Sequence, residues 1–153
     1  MTFEERKGNL FDHMNMHAAY AHCIANDDNY GAGIAPIFVN KVFKQKSLLT
    51  QNLKEHPWKM TKTGWACIIA EENKPFAVHL VTKKHTAGKP NYTTIRDALT
   101  DMKTKLARLP GWNKQICMPK IACGLDKLSW PIVRKIIEDV FKDTDYNITV
   151  YYL

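Results

Sequence analysis

Two short loops of this chain carry the residue types from which a phosphate site can be built. In Met118-Pro119-Lys120-Ile121-Ala122-Cys123-Gly124-Leu125-Asp126 a short apolar run breaks at small residues and a glycine, and a carboxylate sits in the turn. Lys127-Leu128-Ser129-Trp130 and an apolar-periodic segment follow. A strand–loop–helix junction of this kind aims backbone N–H groups, and the positive end of a helix dipole, at one point. It holds a phosphate without many cationic side chains. Asn29-Tyr30-Gly31-Ala32-Gly33-Ile34-Ala35 is a second glycine-rich junction. Two such loops suit a ligand with two phosphates, which points to nucleotide-like molecules. Read alone, each glycine is an ordinary tight turn needing positive φ. Lys83 is then an exposed lysine, and Asp126 a turn or capping residue.

The elements that must position these loops alternate between strand and helix patterns. Residues 2–7 begin an edge strand, ended by Lys7-Gly8-Asn9, and the mostly apolar run 17–24 reads as a buried strand. Ile34, Ile37, Phe38, Val42 and Phe43 recur at helical spacing, predicting one helix of three turns or more that runs on toward Leu53. Pro36 falls in its first turn, where the missing N–H costs little. After a break at Pro57, the runs 64–70 and 75–82 flank Glu71-Glu72-Asn73-Lys74 and predict a hairpin. A polar loop covers 83–91; Thr93 or Thr94 then caps a helix with Ile95, Leu99, Met102, Leu106 and Leu109 on one face. Residues 115–119 form a strand into the Ala122–Asp126 loop. Ser129 caps a helix bearing Ile132, Ile136, Ile137, Val140 and Phe141, and 146–153 is a closing strand. The expected architecture is one α/β domain with helices on both faces of a mostly parallel or mixed sheet. Ligands of such sheets bind beyond the carboxyl ends of strands. Gly8-Asn9, Ala25–Gly33, Lys83 and Ala122–Asp126 all follow predicted strands and converge on one cleft.

Bulk properties narrow the classes. With 153 residues, 45% hydrophobic and 24% charged, the chain suits one globular domain. No run approaches the ~18–20 apolar residues of a membrane-spanning helix. Met1-Thr2-Phe3-Glu4-Glu5-Arg6-Lys7 has acidic residues and no apolar core, unlike a signal peptide. The expected location is the cytoplasm, or the nucleus in a eukaryote, without secretion. Cys23, Cys67, Cys117 and Cys123 form no CxxC pair, which suits buried, reduced thiols. Cysteine and histidine spacings match no metal motif, so neither a metal nor another cofactor is expected. The net charge of +7 is either a solvated basic surface or an attraction for a polyanion, and charge alone does not separate the two.

Taken together and in order, these segments resemble the macrodomain family, whose members bind ADP-ribose. They are most similar to its terminal ADP-ribose protein glycohydrolase subgroup. The matching motifs are Ala21-His22-Cys23-Ile24, Gly31-Ala32-Gly33-Ile34-Ala35, Thr82-Lys83-Lys84, Lys89-Pro90-Asn91-Tyr92, the Met118–Asp126 loop, and the closing Ile148-Thr149-Val150-Tyr151-Tyr152-Leu153. The resemblance spans nearly the whole chain. It implies one macrodomain over residues 1–153, a three-layer α/β/α sandwich on a mixed, mostly parallel sheet. It also implies a monomer that acts on ADP-ribose and ADP-ribosylated macromolecules, protein above all and also DNA or RNA, without a membrane.

Carried over residue by residue, the resemblance places Lys83 and Asp126 at the family's catalytic lysine and aspartate. In the family mechanism the lysine attacks C1″ of the distal ribose, while the aspartate assists proton transfer and resolves the lysine–sugar adduct. A lysine attacks only as the neutral amine, and an unperturbed lysine near pKa ~10.4 is almost wholly charged at neutral pH. Burial or a neighbouring cation such as Lys84 lowers that value, whereas a plain Lys83–Asp126 ion pair raises it. Gly31, Ala32, Gly33 and Ile34 would wrap the distal ribose and one phosphate, with Ala122, Cys123, Gly124 and Leu125 taking the diphosphate. Asn9, Leu10, His22 and Ala25 complete the implied ligand set. Read from its own surroundings, Cys123 is a packing residue and His22 a core residue at a strand end.

Two positions depart from the family. Asn9 stands where macrodomains usually have an aspartate that accepts from the adenine amino group; an amide carbonyl accepts without charge assistance. Ala25 stands where better-known members of the subgroup have a serine. The implied activity is removal of mono-ADP-ribose from ester-linked Glu or Asp, with nucleic-acid-linked ADP-ribose or O-acetyl-ADP-ribose as further substrates. Three readings compete with it: a non-catalytic ADP-ribose-binding module, a phosphatase acting on ADP-ribose 1″-phosphate near Asp126 or His22, and a general nucleic-acid-binding protein whose binding is steeply salt-dependent and not competed by ADP-ribose.

Overall fold

A computed structural model describes residues 1–27, 29–55 and 62–153. The strands are β1 (Thr2–Lys7), β2 (Ala19–Ala25), β3 (Trp65–Ile69), β4 (Phe76–Lys83), β5 (Gln115–Pro119) and β6 (Asn147–Tyr152). The helices are α1 (Lys46–Glu55), α2 (Tyr92–Leu106) and α3 (Trp130–Phe141), with a π-helical segment over Pro36–Val42. The strands form one sheet in the order β1-β6-β5-β2-β4-β3, with every neighbour parallel except the β3–β4 hairpin. The expected mixed, mostly parallel sheet is therefore what the chain forms. Its five parallel strands end on one edge.

Both faces of the sheet are covered, which is why its inner strands read as apolar runs rather than alternations, while the edge strand β1 stays polar and largely exposed. On one face Ala19, Ala21, Val78 and Leu80 pack with Ile95, Leu99 and Met102 of α2 and with Ile137 and Phe141 of α3. On the other, Ile24, Val81 and Trp65 pack with Val39, Leu49 and Leu53, and Tyr20 and Ala77 with Phe38 and Phe43. Among the described residues no helix is long and apolar enough to cross a membrane.

Three local expectations need correction. The helix expected from Ile34 toward Leu53 is two pieces. Lys44 takes φ 52 between them, outside the helical region. The break seats Gln45, 3% exposed, where its side chain meets His79 at 2.7 Å, and the Gln45 carbonyl restarts the helix by accepting from Leu49 N–H at 2.8 Å. A second correction concerns α2: its cap is Asn91, which accepts from Thr94 N–H at 2.8 Å while the Thr94 hydroxyl accepts from Asn91 N–H at 3.1 Å. Neither Thr93 nor Thr94 is the cap itself. Thirdly, Ile132 is exposed, because the buried stripe of α3 runs through Val133, Ile136, Ile137, Val140 and Phe141. The break expected at Pro57 lies outside the described residues.

Candidate active site

The carboxyl ends of β2, β4 and β5 open into one cleft. Lys83, the last residue of β4, points its amine at Asp126 in the turn after β5; Nζ donates to Oδ1 at 2.7 Å. Both side chains are largely withdrawn from solvent, 14% and 15% exposed. A contact of that length permits direct proton transfer between the two groups.

Tight backbone geometry holds Asp126 in place. Ala122 and Lys127 adopt φ 59 and 58, left-handed values that cost a non-glycine residue roughly 1–3 kcal/mol and recur at functional sites. The turn is closed by Cys123 N–H to the Lys120 carbonyl (3.3 Å), Lys127 N–H to the Gly124 carbonyl (3.1 Å) and Leu128 N–H to the Ala122 carbonyl (2.9 Å). Among the described residues, the Gly124 and Leu125 amides lie outside these bonds. The Tyr92 hydroxyl, at the start of α2, accepts from Ser129 N–H at 3.0 Å and braces the far end of the turn. The Lys89–Tyr92 motif thus serves α2 capping and this brace.

The three loop glycines play different parts. Gly33 sits at φ 65, where a Cβ would stand 3.6 Å from Leu125 Cδ1, so the two phosphate-type loops approach each other across the cleft. Gly31 is not in the left-handed region; a Cβ there would come within 3.0 Å of Asn29 Oδ1, which accepts from Gly31 N–H at 3.1 Å. Gly124 has no positive φ, and among the described residues no neighbour lies within 4 Å of a Cβ. The packing of the described residues does not require a glycine there.

Of the expected ligand residues, Ala25, Ala32, Gly33, Ile34, Ala122, Gly124 and Leu125 line this cleft with Lys83 and Asp126. Gly31 and Cys123 sit beside it in the same loops without lining it. Asn9 lies exposed beyond β1, on the same sheet edge, and its Oδ1 accepts from Phe11 N–H at 2.9 Å. Leu10 is 5% exposed and packs in the core with Phe38 and Tyr20.

His22 is placed away from the cleft. It is fully buried, stacks on Phe38 with centroids 3.8 Å apart, and meets His79 Nδ1 through Nε2 at 2.7 Å. Alternation along β2 gives the cleft to Cys23 instead. Gln45 sets the proton positions of this chain of bonds. Its Nε2 donates to Glu71 Oε1 at 2.8 Å, so its Oε1 accepts from His79 Nε2–H, and His79 Nδ1 in turn accepts from His22 Nε2–H. Burial keeps both rings neutral, with the neighbouring His79 adding to the effect on His22; His79 is pushed down to about 3. Neither is a base for the cleft.

The thiols are no better as nucleophiles. Burial and the nearby Asp126 carboxylate push Cys23 up to about 12, and burial pushes Cys123 up to about 11 despite Lys120. All four cysteines are free. Among the described residues, no group of three or more His, Cys, Asp or Glu is arranged to hold a metal.

Reading the sequence alone missed Asp27, Asn29, Thr86 and Lys120. Asn29, Thr86 and Lys120 line the cleft. Lys120 is drawn toward Glu5 (3.7 Å) and lies over the rings of Tyr152 (4.9 Å) and Trp130 (5.6 Å). The only available signal was the position of these residues in loops after predicted strands.

No family model matches the chain. It is 38% identical over 132 residues to the ADP-ribose glycohydrolase OARD1 of Bos taurus, covering 86% of this chain and 80% of that protein. Identity to the Homo sapiens protein of the same name is 37% over 133 residues, covering 87% and 80%. The fold superposes on the macrodomain of Mycobacterium tuberculosis DarG with a TM-score of 0.83 at 17% identity, over 99% of this chain and 98% of that one. Sequence relatives, sheet order and cleft agree: the chain belongs to the macrodomain family, in the group of terminal ADP-ribose protein glycohydrolase-like members.

Proposed function

We propose that the protein is an ADP-ribose-binding hydrolase that removes mono-ADP-ribose from ester-linked carboxylates of proteins, using Lys83 and Asp126. The observation that carries this reading is the 2.7 Å contact between the two side chains at the cleft floor. The relatives named ADP-ribose glycohydrolase, which align over most of the chain, support it. The burial of His22 leaves Asp126 alone as a group for the phosphatase reading and takes away one of its two supports.

The ion pair bears on mechanism. The Lys83 amine and the Asp126 carboxylate are in direct contact, so attack by Lys83 on C1″ requires the entering sugar to separate the pair. Once apart, the neutral amine would attack C1″ and break its bond to the ester oxygen, releasing the protein carboxylate, while Asp126 would take up the amine's proton and later activate water to release ADP-ribose from the adduct. With the pair intact, Asp126 would act as base on water and the Lys83 cation would neutralise the departing carboxylate. Borohydride trapping of a sugar on Lys83 separates the two routes. Nucleic acid carrying an ester-linked ADP-ribose is a further proposed substrate, which the net charge of +7 would attract.

The test is release of free ADP-ribose from an ester-linked, mono-ADP-ribosylated protein by the wild-type chain, with added ADP-ribose as competitor. Release that slows as ADP-ribose occupies the cleft is expected. Tight ADP-ribose binding without release would make the protein a reader of the modification.

A further inference from the structure

A second carboxylate, outside the cleft, ties its two walls together. Asp27 lies just past β2. Its Oδ2 accepts from Thr86 N–H at 2.7 Å, and its Oδ1 from Asn29 N–H at 3.1 Å. The Thr86 hydroxyl, with one proton to give, stands 3.0 Å from each of these oxygens and 3.2 Å from the Asn29 carbonyl. Asn29 then carries the connection into the glycine loop through its Oδ1, which accepts from Gly31 N–H at 3.1 Å. On the other side Thr86 is three residues past Lys83, whose carbonyl accepts from Asn26 N–H at 2.9 Å. Asp27 and Thr86 are 59 residues apart in sequence, so this is the junction of two separate loops.

From this geometry we propose that Asp27 is a positioning residue for the reaction proposed above, holding Lys83 in register with the Gly31–Ile34 loop that would grip the distal ribose. The proposal rests on that reading. It differs from a general structural role because the bonds converge on the two segments that must hold sugar and amine at reacting distance. Displacement by about 1 Å at such a point can cost ~100-fold in rate while the fold stays intact. Burial opposes ionisation of Asp27, yet the hydrogen bonds from Thr86 and Asn29 outweigh it and hold its carboxyl below the usual range, so the group works as an anion.

The anion is required for a definite reason. Each Asp27 oxygen faces a backbone N–H, Thr86 on one and Asn29 on the other. An amide can offer an acceptor to only one of them, and its NH2 must confront the other donor. Asp27→Asn is therefore the diagnostic variant: it keeps the shape and breaks the junction. Thr86→Val, which removes only the hydroxyl, and Thr86→Ser, which restores it, accompany it.

The experiment measures kcat for ADP-ribose release, Kd for free ADP-ribose by calorimetry, and thermal midpoint for these three variants and the wild type. The expected result is a kcat lowered about tenfold or more in Asp27→Asn with Kd within about threefold of wild type. Thr86→Val should show a smaller loss of kcat in the same sense, and Thr86→Ser should regain most of what Thr86→Val loses. If Asp27→Asn does not fold, the contrast between Thr86→Val and Thr86→Ser decides. Wild-type kcat in Asp27→Asn, or a loss of kcat matched by an equal loss of binding, would overturn the positioning role alone. Absence of release by the wild type would overturn the hydrolase reading and this proposal with it.

Discussion

Lys83 Nζ and Asp126 Oδ1 meet at 2.7 Å across 43 residues of sequence. One stands at the end of β4 and the other in the turn after β5, and β2 lies between those strands. The sheet brings the pair together over the end of β2, whose following loop carries the glycines. A nucleotide-sized ligand entering the cleft has the cation, the carboxylate and two backbone-rich loops arranged around it. This is the arrangement required for holding a diphosphate while acting on the sugar beyond it.

Gly124 separates binding from folding. Its φ is compatible with any residue, and an added Cβ would meet no atom of the described residues within 4 Å. Gly124→Ala should leave stability within about 0.5 kcal/mol of wild type, as for a surface change that breaks no packing. ADP-ribose affinity should fall about tenfold or more, because the methyl group would occupy space where the backbone approaches phosphate. Chemical denaturation and calorimetric titration of the same variant check both halves.

Asn9 offers the opposite change. An aspartate there would supply a charge-assisted acceptor to the adenine amino group, roughly twice as strong as the neutral amide. Asn9→Asp should therefore tighten ADP-ribose binding several-fold, while its Oδ1 continues to accept from Phe11 N–H as Asn9 does now at 2.9 Å. Unchanged affinity by calorimetry would remove Asn9 from the adenine site.

The buried histidine pair predicts acid lability. In the folded protein burial lowers both values, His79 to about 3, whereas unfolded histidines titrate near ~6.5. Below that point the unfolded chain binds more protons, so stability falls as pH drops from about 6.5 toward 3. The neutral buried His79 ring should cost roughly 2 kcal/mol of stability between pH 7 and pH 5, with His22 acting in the same direction. His79→Gln, which can still accept from His22 and donate to Gln45, should lose less stability over that interval than wild type. Equal losses of unfolding free energy between pH 7 and pH 5 in wild type and His79→Gln, measured by urea denaturation, would show that the ring does not titrate on unfolding.

The sheet and the cleft were legible because buried parallel strands write continuous apolar runs, and because ligand loops follow their carboxyl ends. Lys83 terminates one such run and Asp126 follows another, so strand ends alone placed them on the same edge. The split at Lys44 was not legible, since apolar spacing continues through it and the cause is the distant partner of Gln45 on β4. His22 is the core residue its own surroundings suggest and not the cleft residue the resemblance implies: its partner His79 lies 57 residues away, and strand register turns the ring onto Phe38. Asp27 and Thr86 are polar loop residues without periodicity, and the junction they form exists only after β2 and β4 have paired.

The most direct test of the central claim compares ADP-ribose release by wild type, Lys83→Ala and Asp126→Ala from an ester-linked, ADP-ribosylated protein, with ADP-ribose binding measured on all three. The account predicts release by wild type, a loss of about a hundredfold or more in each variant, and retained binding in both. Release by Lys83→Ala at the wild-type rate would contradict it, because the contact at the cleft floor would then be a structural ion pair.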